Sequence, residues 1–281
     1  MCEFCHTHGE GKKWYLEARN YSDDLLSDLR RRDFIKDFFE KPEAQGEGVE
    51  KIGKLASAPG FVKSALATRI SEKMKKLHFG QVVPIEEVER IFDFVTSITR
   101  FACLCRHVTV GSEQRYCYGV SLAPNGGKMV ELIREIDPKY LIGPDTAGIE
   151  SFSKDKALAM LREHEEEGLC HTVWTFVAPF IGGICNCDNA DCLAMQSTVT
   201  YGVPVIFRAE YVAEVDPDLC TGCRDCMRFC QFGAISYSAA LEKTVIDLRR
   251  CYGCGICRSG CSSGAIVLKE RAAVPTAAKL W

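Results

Sequence analysis

Cys220-Thr-Gly-Cys223-Arg-Asp-Cys226-Met-Arg-Phe-Cys230, followed by Gln-Phe-Gly233-Ala234-Ile235, is repeated further along the chain. The second copy reads Cys251-Tyr-Gly-Cys254-Gly-Ile-Cys257-Arg-Ser-Gly-Cys261, followed by Ser-Ser-Gly264-Ala265-Ile266. All four cysteines coincide after one constant shift, as do the glycine before the second cysteine and the Gly-Ala-Ile after the fourth. Four thiolates at C-x2-C-x2-C-x3-C, present twice, have the ligand spacing for a pair of [4Fe–4S] clusters. Paired C-x2-C units also build tetrahedral zinc sites, but zinc needs four ligands, not eight in this packed arrangement.

On these motifs the last quarter of the chain resembles the two-cluster bacterial ferredoxin domain. The resemblance implies crossed ligation: Cys220, Cys223, Cys226 and Cys261 hold one cluster, and Cys251, Cys254, Cys257 and Cys230 hold the other. One departure stands out. The proline that usually follows the fourth cysteine is Gln231 in one copy and Ser262 in the other. Proline there shapes a turn and binds no iron, so the ligand assignment is unaffected.

The composition is that of a globular protein, with 47% hydrophobic and 26% charged residues, but seventeen cysteines in 281 residues is a large excess. The opening Met1-Cys-Glu-Phe-Cys has neither the basic nor the apolar part of a secretory signal. The excess therefore reads as metal binding in a reducing, cytoplasmic compartment, not as a disulfide framework. The longest uncharged run, Gly168 to Cys187, is broken by Pro179 and Gly182-Gly183; it predicts two buried strands joined by a turn, not a membrane span. Residues 211–281 carry nine Lys/Arg and seven Asp/Glu, a net +2, against −5 for the rest. No basic, aromatic-interleaved patch points to nucleic acid.

Ahead of the repeat, Ser22-Asp-Asp-Leu-Leu predicts a capped helix running to Lys41-Pro42. Gln45 to Pro59, with three glycines, predicts a loop. Helices are expected from Val62 to Leu77, from Pro84 to about Ile98, from Met129 to Ile136 and from Ser153 to Glu167, the last ended by Gly168. Strands are expected between Val203 and Val215. The C-terminal tail is either a docking arm with an exposed Trp281 or a segment folded back on its own domain.

Nine cysteines lie outside the repeat. At the start, Cys2, Cys5, His6 and His8 admit a c-type haem motif, a Cys2His2-type site or a bare terminus. In the middle, Cys103-Leu-Cys105-Arg106-His107, Cys117, Cys170-His171 and Cys185-Asn-Cys187…Cys192 gather in a short span. In an extended segment residues i and i+2 face one way, so each C-x-C pair aims both sulfurs at one place. Cys103, Cys105, Cys185 and Cys187, with Cys117 and Cys192 in reserve, are candidate ligands for a third iron–sulfur cluster or a zinc ion; the alternative is that they are buried apolar residues. His171 is a ligand, a proton donor or a core histidine. The middle segment is also similar to a group of anaerobe proteins that place CxCR and CNC motifs ahead of a dicluster ferredoxin domain. There the CNC motif continues into further cysteines, whereas here Asp188, Asn189 and Ala190 intervene.

The expected fold is α+β: a helical N-terminal region (1–100), a Cys-rich middle segment (101–210) and a C-terminal two-cluster ferredoxin-like domain (211–281). No Walker A loop, dinucleotide fingerprint or G-x-S-x-G turn is present. The sequence therefore reads as an electron-transfer protein that passes single electrons between redox protein partners, a donor and an acceptor, as a subunit or partner of a larger anaerobic oxidoreductase. The alternatives are an oxidoreductase with its own third site, or a redox-responsive regulator.

Overall fold

The computed structural model describes residues 13–55 and 59–281. Short 3₁₀ turns lead to helix α1 (Leu29–Glu40), α2 (Pro42–Leu55) and α3 (Gly60–Met74). Strand β1 (Gly80–Val82), helix α4 (Ile85–Phe94), strand β2 (Ser97–Phe101), helix α5 (Leu104–Val110) and strand β3 (Cys117–Ser121) follow. Then come α6 (Gly127–Ile136), α7 (Lys139–Ile142), β4 (Glu150–Phe152), α8 (Lys154–Glu166), β5 (Cys170–Thr175) and β6 (Ile181–Cys187). The short α9 (Leu193–Met195) and β7 (Ile206–Phe207) complete this part.

Seven strands make one sheet in the order β4-β2-β3-β6-β5-β1-β7, antiparallel except for the parallel β1–β7 pair. The sheet draws strands from both sides of residue 100. The long uncharged run is the β5–β6 hairpin at its centre, as the punctuation by proline and glycine predicts. Among the described residues no helix is long and apolar enough to cross a membrane.

Strand alternation gives the sheet two different faces. One carries Tyr118, Val120, Val173 and Ile184 against α4, α8 and the aromatic residues Trp14, Tyr15 and Tyr21. The other carries Cys117, Cys185 and Cys187 with Trp174, and is covered by α1, α2, α5 and α6.

Three local expectations are corrected. The helix expected from Ser22 onward is broken: Ser22 caps only a 3₁₀ turn (Asp23–Ser27), and Asp28 starts α1 by accepting the Arg30 amide at 3.0 Å. The loop expected from Gln45 to Pro59 is largely α2. Gly46 and Gly53 mark close approaches instead of turns: a Cβ on Gly46 would lie 2.6 Å from Val108, and one on Gly53 3.0 Å from Tyr201. Helix α4 also ends earlier than expected, at Phe94, so that Ser97 begins β2. The tail is folded back, not presented: the Trp281 ring stacks on Phe207 at 4.6 Å.

The C-terminal part contains β8 (Tyr211–Val215), β9 (Ile235–Ser238), β10 (Lys243–Ile246) and β11 (Ile266–Glu270). The strand before the first cysteine motif, β8, pairs antiparallel with the strand after the second, β11. The strand after the first, β9, pairs with the strand before the second, β10. The sequence repeat is thus a structural repeat whose halves exchange strands.

This module is fastened to the rest by polar contacts. Arg258 makes a two-pronged pair with Glu86 of α4 at 2.5 and 3.0 Å, and Arg271 pairs with Glu210 at 2.7 Å in full burial.

Candidate metal centres

The eight repeat cysteines lie within electrostatic reach of one another across the two copies. Cys226 feels the charges of Cys261, Cys223 and Cys220, Cys251 feels that of Cys230, and Cys257 feels those of Cys251, Cys230 and Cys226. Backbone amides point at these sulfurs in matched positions. Ala234 donates to Cys230 Sγ at 3.1 Å and Ala265 to Cys261 Sγ at 3.2 Å. Ala213 donates to Cys251 Sγ at 3.4 Å, and at Cys220 the backbone amides of Thr244 and Gly222 take the equivalent places. Hydrogen bonds to sulfur stabilise negative charge on it and tune the potential of a bound cluster.

The glycine before the second cysteine has a geometric cause that is the same in both copies. Gly222 and Gly253 each have φ of +71°. A Cβ on Gly222 would meet the Glu242 carbonyl oxygen at 2.3 Å, and one on Gly253 the Tyr211 carbonyl oxygen at 2.0 Å. Only glycine lets the partner half's strand come so near.

The copies differ in surroundings. Cys223 is exposed, but its counterpart Cys254 is buried in an apolar cluster with Cys170, Phe229, Phe232 and Ile256. In the second copy burial pushes the Cys257 thiol up to about 12 and, outweighing the Ile256 amide, pushes the Cys254 thiol well up. At Cys220 the balance is reversed. There burial is outweighed by the amides of Thr244 and Gly222, and the thiol lies below its ordinary value. A thiol that burial keeps protonated gives up its proton when a metal takes its place.

The six candidate cysteines of the middle segment also come together. Cys117 and Cys185 lie opposite each other on β3 and β6, with sulfurs 3.4 Å apart. Cys117 also reaches Cys103, Cys103 reaches Cys105, Cys105 reaches Cys192, and Cys192 reaches Cys187. The result is an unbroken chain of sulfurs. Cys185 and Cys187 share a sheet face as their spacing predicts. Cys103 and Cys105 do so for a different reason, because Cys103 caps α5 and Cys105 stands in its first turn.

Contact with neighbouring thiols holds the Cys103 and Cys192 thiols well below the ordinary value, Cys105 contributing most in both cases. The same contacts raise Cys105, Cys117 and Cys187. Cys103 and Cys192 each precede a short helix, and the amides of Arg106 and Met195 add to the effect. Arg106 lies almost fully buried beside the cysteines. It pairs with Asp188, donates to the Asn186 carbonyl at 3.2 Å and stacks on Tyr116 at 4.0 Å. Burial disfavours its charge, but Cys103 and Asp188 more than compensate. Asp188, which departs from the resembled CNC motif, is thus the counter-ion of the arginine in the CxCR motif.

Among the described residues, no three Cys, His, Asp or Glu side chains converge on a point that one metal ion could occupy. Cluster ligands surround a cube instead of meeting at a point, and the eight repeat cysteines do not converge on a point either. His171 takes the core-histidine role: fully buried, it donates from Nδ1 to Asn186 Oδ1 at 2.6 Å and holds Nε2 3.6 Å from Glu165. Cross-strand pairing of His171 with Asn186 and alternation along β5 turn it away from Cys170 and Thr172. His107 stacks on Tyr140 at 4.6 Å. Cys2 and Cys5, with the haem and Cys2His2 readings attached to them, lie outside the described residues.

Two positions outside the candidate ligand sets lie between the assemblies. Cys170 is fully buried between the two assemblies, and the charges of Cys192 and Cys230 both reach it, as its own reaches Cys254. Gln231, at the position usually held by proline, donates to the Gly168 carbonyl at 2.8 Å and accepts from the Asn189 amide at 3.0 Å. Its side chain ties the repeat to the start of β5 and to the loop after β6. The missing proline was a signal, but nothing in the sequence named the partner.

Residues 219–266 match the family model of the 4Fe-4S dicluster domain. No curated protein and no solved structure matches the chain. The C-terminal part is a ferredoxin-type iron–sulfur domain, the kind that serves electron transfer.

Proposed function

We propose that the chain passes single electrons through two [4Fe–4S] clusters, one held by Cys220, Cys223, Cys226 and Cys261 and the other by Cys251, Cys254, Cys257 and Cys230. In this reading it works as a subunit or partner of a larger anaerobic oxidoreductase in the cytoplasm. The electrostatic reach of the eight sulfurs across the two copies, with backbone amides at matched positions in both halves, carries the proposal. A bound [4Fe–4S] cluster supplies a one-electron carrier. The residues set its surroundings: exposed Cys223 gives the first group access to a redox partner, and buried Cys254 faces the interior. Residues 211–281 would then be the unit that meets the partner.

The test is iron and acid-labile sulfide per chain after anaerobic purification. About eight of each supports two clusters, and a value far below eight sinks the proposal.

A second reading is favoured by the chain of six sulfurs. Cys103, Cys105, Cys117, Cys185, Cys187 and Cys192 would hold a third iron–sulfur site, fed through the apolar packing around Cys170. It would make the protein an oxidoreductase in its own right. About twelve iron per chain, falling to about eight in Cys103→Ser with Cys192→Ser, is its expected signature.

A further inference from the structure

The sulfur chain forms one side of a cavity of about 250 Å³. The cavity lies between the cysteine-bearing face of the sheet and helices α2 and α3. Its walls are mainly apolar and include the aromatic rings of Phe38, Phe39, Phe101, Trp174 and Phe176, in edge-on, tilted and stacked arrangements. From α2 come Gly48, Val49 and Ile52. The charge of Arg106 at this site is already matched by Asp188. A cavity of about 150 Å³ with apolar walls holds a benzene ring, so the space here suits one or two fused rings. Aromatic walls favour an aromatic guest through edge-to-face contacts.

One polar group on the wall is positioned for such a guest. His78 lies among Phe38, Trp174 and Phe176, with ring centroids 4.6–4.9 Å away. Its Nδ1 meets the Thr175 carbonyl. A carbonyl only accepts, so Nδ1 carries the proton. Burial lowers the pKa of His78 to about 4, so the ring is neutral at ordinary pH. Nε2 is then a lone-pair acceptor, and it is the nitrogen left for a ligand.

We propose that this cavity binds an uncharged aromatic molecule of about two rings, seated against the cysteine chain, with a ring hydroxyl donating to His78 Nε2. A cluster on the six cysteines would take this same space, so the proposal is an alternative to the third-site reading, and about twelve iron per chain would overturn it.

Gly48 provides the means to test it. A Cβ built there meets nothing within 4 Å, and the residue lies inside α2 on the cavity wall. Gly48→Phe should therefore fill the space while favouring the helix. The probes are 2-naphthol and naphthalene, titrated calorimetrically into the anaerobically purified full chain. Iron content and circular dichroism report separately on whether each variant keeps its clusters and fold. The wild type should bind 2-naphthol saturably, at one site, and at least tenfold more tightly than naphthalene. Gly48→Phe should weaken 2-naphthol binding at least tenfold with iron content unchanged. His78→Phe should remove the preference for 2-naphthol over naphthalene while leaving naphthalene binding. Absence of saturable binding to the wild type, or undiminished binding to a folded Gly48→Phe, would overturn the proposal. An intact hydroxyl preference in His78→Phe would overturn the role of the histidine.

Discussion

The protein contains two cysteine assemblies built on different plans. In the C-terminal repeat the eight sulfurs come from two short loops and their 3₁₀ turns, and backbone amides of the same loops and of the paired strands point at Cys230, Cys251 and Cys261. In the middle segment six sulfurs come from α5, β3, β6 and the residue ahead of α9, and they chiefly meet one another. The first plan gives Cys220, Cys230, Cys251 and Cys261 backbone amide donors of their own. The second couples the protonation of Cys103, Cys105, Cys117, Cys187 and Cys192, with Cys103 and Cys192 held low by the thiols beside them. A local motif survives change elsewhere in the chain, whereas an assembly from four elements lasts only while the sheet and its covering helices hold it.

The sharpest test of this difference is to remove one ligand from the repeat. Cys254→Ser should cost about four of the expected eight iron atoms, read by iron analysis, because a cluster deprived of a buried ligand is lost as a unit. If iron is unchanged, the crossed grouping is not a ligand set. Next in size is Gly253→Ala. A Cβ at φ +71° and 2.0 Å from the Tyr211 carbonyl oxygen must push apart β8 and the second motif. We expect a loss of roughly 2 kcal/mol or more in stability, seen as a lower midpoint of anaerobic thermal unfolding. Gly222→Ala should behave alike, since its neighbour is the matching carbonyl of Glu242.

A smaller effect is expected from the middle assembly. Cys103→Ser with Cys192→Ser should leave the iron of the repeat in place, because none of its loops takes part. Loss of repeat iron in that variant would show that the two assemblies are not separable. The smallest effect belongs to the joint between them. Gln231→Ala removes two hydrogen bonds, at about 0.5–1.5 kcal/mol each, and should lower the unfolding midpoint slightly without loss of iron. If the double cysteine variant and Gln231→Ala change stability additively, the joint is independent of the sulfur chain.

Much of the helical framework was legible residue by residue. Ser153 and Gly168 bracket α8, and Pro84 with two glutamates opens α4, because caps and first-turn charges act within a few residues. Where glycine was read as a loop marker the reading failed. Gly46 and Gly53 in α2 serve close packing against Val108 and Tyr201, contacts that come from far along the chain.

The sequence by itself determined the eight-cysteine repeat, its glycines and its Gly-Ala-Ile endings, because a cluster's ligands are bound by loop geometry that a few consecutive residues encode. It also announced that the middle cysteines belong together, through their density and the C-x-C spacing. Only the tertiary structure decided how they meet. Strand pairing sets Cys117 against Cys185, the capping of α5 turns Cys103 and Cys105 inward, and burial places Cys170 between the assemblies. It likewise brought His78 to the wall of an aromatic cavity and gave Gln231 its partners. These contacts join residues tens of positions apart, and their energy comes from surfaces that exist only once the sheet has formed.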